Sequence, residues 1–280
     1  MLAWLEAGGV EYVTKPVDQV ALVGRVKSML RIKALQDTVQ AQALQLKESN
    51  RTLESRVTEQ VSELERLGRL KRFFSPQLAE LIVSGGADDP LKSHRREVTV
   101  VFLDLRGFTA FAETNEPEEI MGVLRDYHAE MGRMILAHEG TLERFAGDGM
   151  MVFFNDPVPV PDPAARAVRM VLEMREGLGD LTAKWRKRGF DLGFGAGIAQ
   201  GFATIGAVGF EGRWDYGAIG TVTNLAARLC SEAKPGQILI SQKVCGEVED
   251  LAEFELVGEL QLKGFLKPVP AFNVLQLKRQ

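Results

Sequence analysis

The sequence predicts an α/β (α+β) body, with helices covering a mixed and mostly antiparallel sheet, behind a long coiled-coil helix. Three observations carry this. Residues 96–280 alternate apolar strand patterns with amphipathic helix patterns, residues 31–72 hold a heptad pattern, and Gly147-Asp148-Gly149 forms a hairpin turn between two apolar runs.

Residues 1–30 read as a helix end, a turn at Gly8-Gly9, a short strand "VEYVT", Lys15-Pro16, and a helix starting near Asp18. Thirty residues cannot bury a core of their own. Residues 31–72 contain no Pro and a single Gly. Ala43, Asn50, Val57 and Leu64 fall at heptad position a, and Ile32, Val39, Leu46, Leu53 and Leu67 at d, with Gln60 the polar break. Asn at an a position fixes a parallel two-stranded register at a cost in stability, so a parallel coiled coil is expected, with a lone amphipathic helix as the alternative. Residues 73–95 read as a connector, with a short apolar helix after Ser75-Pro76 that ends at Gly85-Gly86.

In the third zone "EVTVVFLDL" is a strand and "PEEIMGVLRDYHAEMGRMILAHEG" a helix opened by Pro117. "TLERFAGDGMMVFF" is a hairpin and "PAARAVRMVLEMREGLGDLTAKWRKRG" a second long helix. Strands in "FDLGFGAGIAQGFATIGAVGF", a helix in "TVTNLAARLCSEA" and short strands complete the body, with the helices expected over one face of the sheet.

Composition narrows the function. The net charge of −4 offers no basic field for nucleic acid or anionic membrane. Two cysteines, Cys230 and Cys245, suggest a reducing compartment, and their spacing makes no metal motif. There is no apolar run of about 18 residues and no signal-peptide pattern, so a cytoplasmic protein is expected.

Two carboxylates stand out. Asp104 ends an apolar strand, where a charge is costly unless paired or bound to a cation. The chain then turns through Arg106-Gly107 into a helix near Phe108-Thr109, a natural phosphate seat. The helix–hairpin order lets Asp148 return beside Asp104, and two such carboxylates can hold two divalent cations for phosphoryl transfer. The alternatives are a loop aspartate and a hairpin tip.

"VFLDLRGFTAFAE", "GTLERFAGDGMMVFF", "DYGAIGTVTNLAARL" and "LKGFLKPVPAF" occur in that order, and together they resemble the catalytic domain of class III adenylate/guanylate cyclases over residues 96–276. The resemblance implies a ferredoxin-like palm core, a head-to-tail homodimer, and conversion of ATP into cyclic AMP and pyrophosphate with two Mg²⁺ or Mn²⁺ ions per site. It implies that Asp104 and Asp148 are the metal aspartates and that the Leu105 carbonyl completes one metal site. Gly107, Phe108 and Thr109 would hold phosphates through their amides. Asn224 would orient the ribose, Arg228 would stabilise charge on the α-phosphate, and Lys263 would neutralise the terminal phosphates, all three from the opposite protomer.

Purine choice in the family turns on two positions, which are Lys and Asp in adenylate cyclases and Glu and Cys in guanylate cyclases. Here they align with Arg144 and Gly217, which favours ATP, with GTP and a non-catalytic nucleotide-binding module as the alternatives. Glu143 stands beside Arg144, and a one-residue shift would exchange the two. An arginine that many members place in "LGFGAGIA" is missing: Gly195 stands near its position, and Arg106 is a candidate to replace its charge.

Residues 1–30 resemble the tail of a response-regulator receiver domain, in which Lys15 would be the phosphate-sensing lysine. The phospho-acceptor strands are absent, so the chain reads as starting mid-domain. An upstream histidine kinase is a partner only if a complete receiver exists.

Overall fold

The computed structural model describes residues 18–70, 91–210 and 213–278. The receiver-like strand with Lys15 and most of the 73–95 connector lie outside the described residues. The chain divides into two compact units, Met1–Leu70 and Lys71–Gln280.

The described part of the first unit is one helix. Asp18 opens it: its Oδ1 accepts from the N–H groups of Val20 (2.9 Å) and Ala21 (3.3 Å), the ordinary N-cap arrangement. Helix α1 (Gln19–Leu70) then runs for 52 residues without a break. It joins the helix read from near Asp18 to the heptad segment without interruption, and no Gly–Pro signal stands between them. Ile32, Val39, Leu46, Leu53 and Val57 are each more than half exposed on the single helix.

The second unit follows the strand and helix signals closely. Strand β1 (His94–Arg106) leads through Gly107 into helix α2 (Phe108–Thr114) and then α3 (Pro117–Ala137). Strands β2 (Thr141–Ala146) and β3 (Gly149–Phe154) form the hairpin, followed by α4 (Pro163–Lys187). Next come β4 (Gly193–Phe210), β5 (Arg213–Ile219) and α5 (Thr221–Glu232). The unit ends with β6 (Ile238–Ser241), α6 (Gln242–Glu247), β7 (Ala252–Leu260) and β8 (Val269–Leu277).

The eight strands make one sheet in the order β2-β3-β1-β4-β6-β8-β7, with β5 paired to β4. The first four strands and the helices between them have the ferredoxin-like connection, each strand antiparallel to its neighbour. The β4–β6 pair is parallel, as a mixed and mostly antiparallel sheet requires.

Side chains alternate across the sheet. Val101, Leu103 and Leu105 of β1 join the larger core beneath α2, α3, α4 and α6. Val98 and Val100 face the other way, against Val222 and Ala226 of α5 and Tyr216 of β5. Helices therefore cover both faces, not one as the sequence suggested. The run 193–210, read as more than one strand, is a single strand. Its whole length is held by pairing, with β1 along residues 193–205 and with β5 along 204–210. Helix α6 was not anticipated: six residues are too few for a periodic signal, and its cap is Ser241, which accepts from Val244 N–H.

One buried acid ties β1, β3 and β5 together. The Asp156 side chain is fully buried after β3. It accepts from Tyr216 Oη and pairs with His94 Nε2 (2.7 Å) and Arg96 Nη1 (3.2 Å). These partners offset the cost of burying its charge. The Asp156 contact holds the His94 imidazole pKa above its ordinary 6.5.

Candidate active site

The alternation that sends Val98 and Val100 toward α5 sends Asp104 and Arg106 the same way, at the C-terminal end of β1. Asp148 stands in the turn between β2 and β3. Pairing of Leu103 with Met150 carries that turn to the end of β1, where Asp148 Oδ2 accepts from Leu105 N–H at 3.0 Å. The structure thus brings Asp104, Leu105 and Asp148 together. Confinement has an electrostatic consequence: burial, then the neighbouring Asp104 carboxyl, push the Asp148 pKa up to about 7. Helix α2 begins beside them, with Gly107 at φ 85° and Phe108 and Thr109 in its first turn. A Cβ at Gly107 would lie 2.7 Å from the Asp191 carbonyl, so both the turn and the space require glycine there.

Among the described residues no group of three or more His, Cys, Asp and Glu side chains forms a complete metal cage. Two carboxylates and a backbone carbonyl are still the oxygen donors that Mg²⁺ and Mn²⁺ accept, and Mg²⁺ habitually leaves its other positions to water and substrate phosphate. The donor set fits such ions, and a cation there would offset the cost of burying the Asp148 charge beside a second carboxylate.

Arg106 already places positive charge there. Its Nη1 donates to Asp104 Oδ2 at 2.9 Å, and its Nη2 donates to the Cys230 carbonyl in the last turn of α5. Gly195 makes this possible, because a Cβ there would lie 2.5 Å from Arg106 Nε. The space left by the missing β4 side chain is thus filled by a guanidinium from β1. Beside it, burial pushes the Cys230 thiol up to about 12, so it stays neutral.

A second feature lies around β2, β5 and the start of α5. A cavity of about 340 Å³ is lined by Glu143, Arg144, Asp215, Gly217, Thr223 and Asn224, among others. Arg144 and Gly217 do meet here, together with Asn224. The side chain packed on Gly217, however, belongs to Glu143. The register of β2 against β3 shifts between Leu142 and Arg144, and this bulge turns Glu143 inward. Its side chain is 8% exposed, Oε2 accepts from Ala218 N–H at 3.2 Å, and a Cβ on Gly217 would come within 3.1 Å of Oε1. Arg144 lies outside, 62% exposed, with Nη1 3.5 Å from Glu143 Oε1. Counting along the sequence left this residue as a neighbour of the aligned position, because a bulge has no sequence mark beyond a broken alternation.

Asn224 and Arg228 share the exposed face of α5, while Val222, Ala226, Leu229 and Cys230 fill the buried one. Lys263 is exposed in the β7–β8 connection. The sheet order puts that connection toward the edge opposite β3 and β1, so Lys263 is not gathered with Asp104 and Asp148 by the strands of this chain.

Residues 91–275 match the family described as the adenylate and guanylate cyclase catalytic domain. The chain belongs to this family. It is 31% identical over 188 residues to "Adenylate cyclase 1" of Rhizobium meliloti (strain 1021), a match covering 66% of this chain and 28% of that protein. The chain therefore spans under a third of that relative's length. Among solved cyclase structures it resembles the adenylyl cyclase CyaB from P. aeruginosa, at 37% identity and TM-score 0.65, over 68% of this chain and 98% of that one. It also resembles the guanylyl cyclase Cya2, at 35% identity and TM-score 0.63, over 67% of this chain and 95% of that one. The cyclase fold accounts for the arrangement of β1, β3 and α5. No helix among the described residues is long and apolar enough to cross a membrane.

Proposed function

We propose that this cyclase domain converts ATP into 3′,5′-cyclic AMP and pyrophosphate in a cytoplasmic signalling pathway. The observation that carries the reading is the meeting of Asp104 and Asp148 at adjacent strand ends, where Asp148 Oδ2 accepts from Leu105 N–H at 3.0 Å. Members of the family use divalent metals. Asp104, Asp148 and the Leu105 carbonyl would hold two such ions, which supply charge for the triphosphate and acidify the 3′-hydroxyl.

The remaining work falls to positioning. The amides of Gly107, Phe108 and Thr109 seat phosphate oxygens, Asn224 orients the ribose, and Arg228 stabilises charge on the α-phosphate during in-line displacement. Lys263 neutralises the terminal phosphates. The placement of Lys263 in the β7–β8 connection, toward the edge away from β1 and β3, supports a site shared between two chains. Such a dimer needs association, and the exposed stripe of α1 with Asn50 at an a position supports a parallel coiled coil. Adenine is preferred because Arg144 offers a donor at the base cavity. GTP is the second reading, favoured by the similarity to the guanylyl cyclase Cya2.

Purified chain incubated with ATP or GTP and Mg²⁺ or Mn²⁺, with products separated by chromatography, tests this. Cyclic AMP that disappears in Asp104→Ala is expected. Cyclic GMP alone reverses the purine assignment, and no product from either nucleotide in a dimeric chain refutes the enzyme.

A further inference from the structure

Arg106 joins a candidate metal ligand to the end of a helix. It lies two residues after Asp104 on the same face of β1, and its Nη1 donates to Asp104 Oδ2 at 2.9 Å. Its Nη2 donates to the Cys230 carbonyl, in the last turn of α5. That turn has no basic residue of its own, so the guanidinium supplies a cation at the helix's negative end. The fit is close and incomplete. Glycine at 195 leaves the guanidinium its room, and the side chain is 20% exposed. Its Nε–H is buried with no partner among the described residues. An unmet buried donor disfavours this pose, so the guanidinium is held mainly by Asp104 and Cys230. A divalent cation on Asp104 would face the guanidinium across a single carboxylate, and like charges that close repel.

We propose that Arg106 is a positioning residue that couples Asp104 to α5: it straps the helix end while it holds Asp104 Oδ2, and releases that end when a divalent cation takes the oxygen. This rests on the cyclase reading of the site. Cation affinity and α5 mobility are then two sides of one equilibrium, and each shifts the other by the same factor. α5 carries Asn224 and Arg228 on its exposed face. Where these serve the partner's aspartates, as proposed above, cation loading of one site reaches the other through Arg106. Gly195 belongs to the device, since a Cβ there would lie 2.5 Å from Arg106 Nε and push the guanidinium out.

Mn²⁺ binding to the full chain, followed by electron paramagnetic resonance, tests this without turnover. Wild type is compared with Arg106→Gln, which removes the charge, and with Gly195→Ala, which displaces it. The second variant serves if the first does not fold, and cooperative melting shows that each does. Amide exchange of residues 228–233 is read with and without Mn²⁺. A hydrogen bond between charged groups is worth roughly tenfold, so Arg106→Gln should bind Mn²⁺ about tenfold more tightly, with Gly195→Ala shifted the same way. Without metal, both should exchange faster than wild type at 228–233, and so should Asp104→Asn, which cuts the strap at its other end. Mn²⁺ should speed that exchange in wild type and leave it unchanged in Arg106→Gln. Mn²⁺ affinities within about twofold of wild type in both variants, or wild-type exchange unmoved by Mn²⁺, would overturn the coupling while the cyclase reading stands. Weaker binding in both variants would overturn it too, since Arg106 would then be holding Asp104 ready for the cation. Absence of Mn²⁺ binding from wild type and variants alike would refute the metal site itself, and the coupling with it.

Discussion

Gly197→Ala is the substitution whose cost can be worked most directly. Gly195 and Gly197 lie on the same face of β4, toward α5, but meet different neighbours. A Cβ at Gly197 would lie 2.8 Å from Cys230 Cα and closer still to Cys230 N and the Ala226 carbonyl, all backbone of α5. Ordinary contact begins at 3.4 Å, so the helix must retreat by at least 0.6 Å from that atom alone, and by more from the other two. Retreat loosens Val222, Ala226, Leu229 and Cys230 together, each of them buried. A gap of 0.5–1 Å forfeits about a quarter to a half of a dispersion contact, and overpacking of this kind costs about 3 kcal/mol. For a domain of this size that lowers the melting temperature by roughly 6–12 °C, at about 2–4 °C per kcal/mol. At Gly195 the obstacle is the end of the Arg106 side chain, which can swing away, so Gly195→Ala should cost only about 1 kcal/mol. Thermal melts of both variants, read by circular dichroism, decide it. If Gly197→Ala melts within 2 °C of wild type, or Gly195→Ala melts lower than Gly197→Ala, the close approach of α5 to β4 is wrong.

Three further outcomes are expected. Mixing Asp104→Ala with Arg228→Ala chains should recover up to roughly a quarter of wild-type product formation, since half of randomly assorted dimers are mixed and each holds one intact site of two; no recovery would refute a shared site. Leu46→Lys with Leu53→Lys on α1 should turn a sedimenting dimer into a monomer at low micromolar concentration, whereas a wild-type monomer there would refute the coiled coil. His94 has a pKa raised above 6.5 by Asp156, so its contribution to stability is complete below about pH 6.5 and fades as pH rises through its folded value. His94→Gln should remove that decline, seen as a smaller fall in melting temperature between pH 6 and pH 8.5 than the wild type shows.

Much of this was legible in the sequence because the signals were local. The alternation in "VTVVFLDL" places Asp104 on a definite face, and the Gly147-Asp148-Gly149 turn returns the second carboxylate to its side. The long helices announce themselves through Pro117 and Pro163 at their first turns. What escaped was set between strands. The glycines of β4 look like breaks in one dimension; in three they are clearances for the Arg106 guanidinium and the α5 backbone. Glu143 and Arg144 differ by one place in the chain, and only the bulge decides which is buried. Helix α5 was recognised, but which face of the sheet it covers depends on where β5 turns, and no spacing within α5 records that.

The contrast between β1 and β2 bears on how such a domain can change over generations. β1 and β4 are paired residue for residue over thirteen positions, 94–106 against 193–205, with no irregularity. Deleting one residue anywhere upstream in β1 would swing Asp104 to the opposite layer, so that strand can be substituted but not shortened. β2 has already absorbed an offset, between Leu142 and Arg144, at Glu143, which lines the cavity beside β5 and α5. Losing or gaining a residue there exchanges which side chain points inward while Asp104 and Asp148 stay where they are. The wall of that cavity can thus be remade by insertion and deletion, while the aspartates are open only to point replacement.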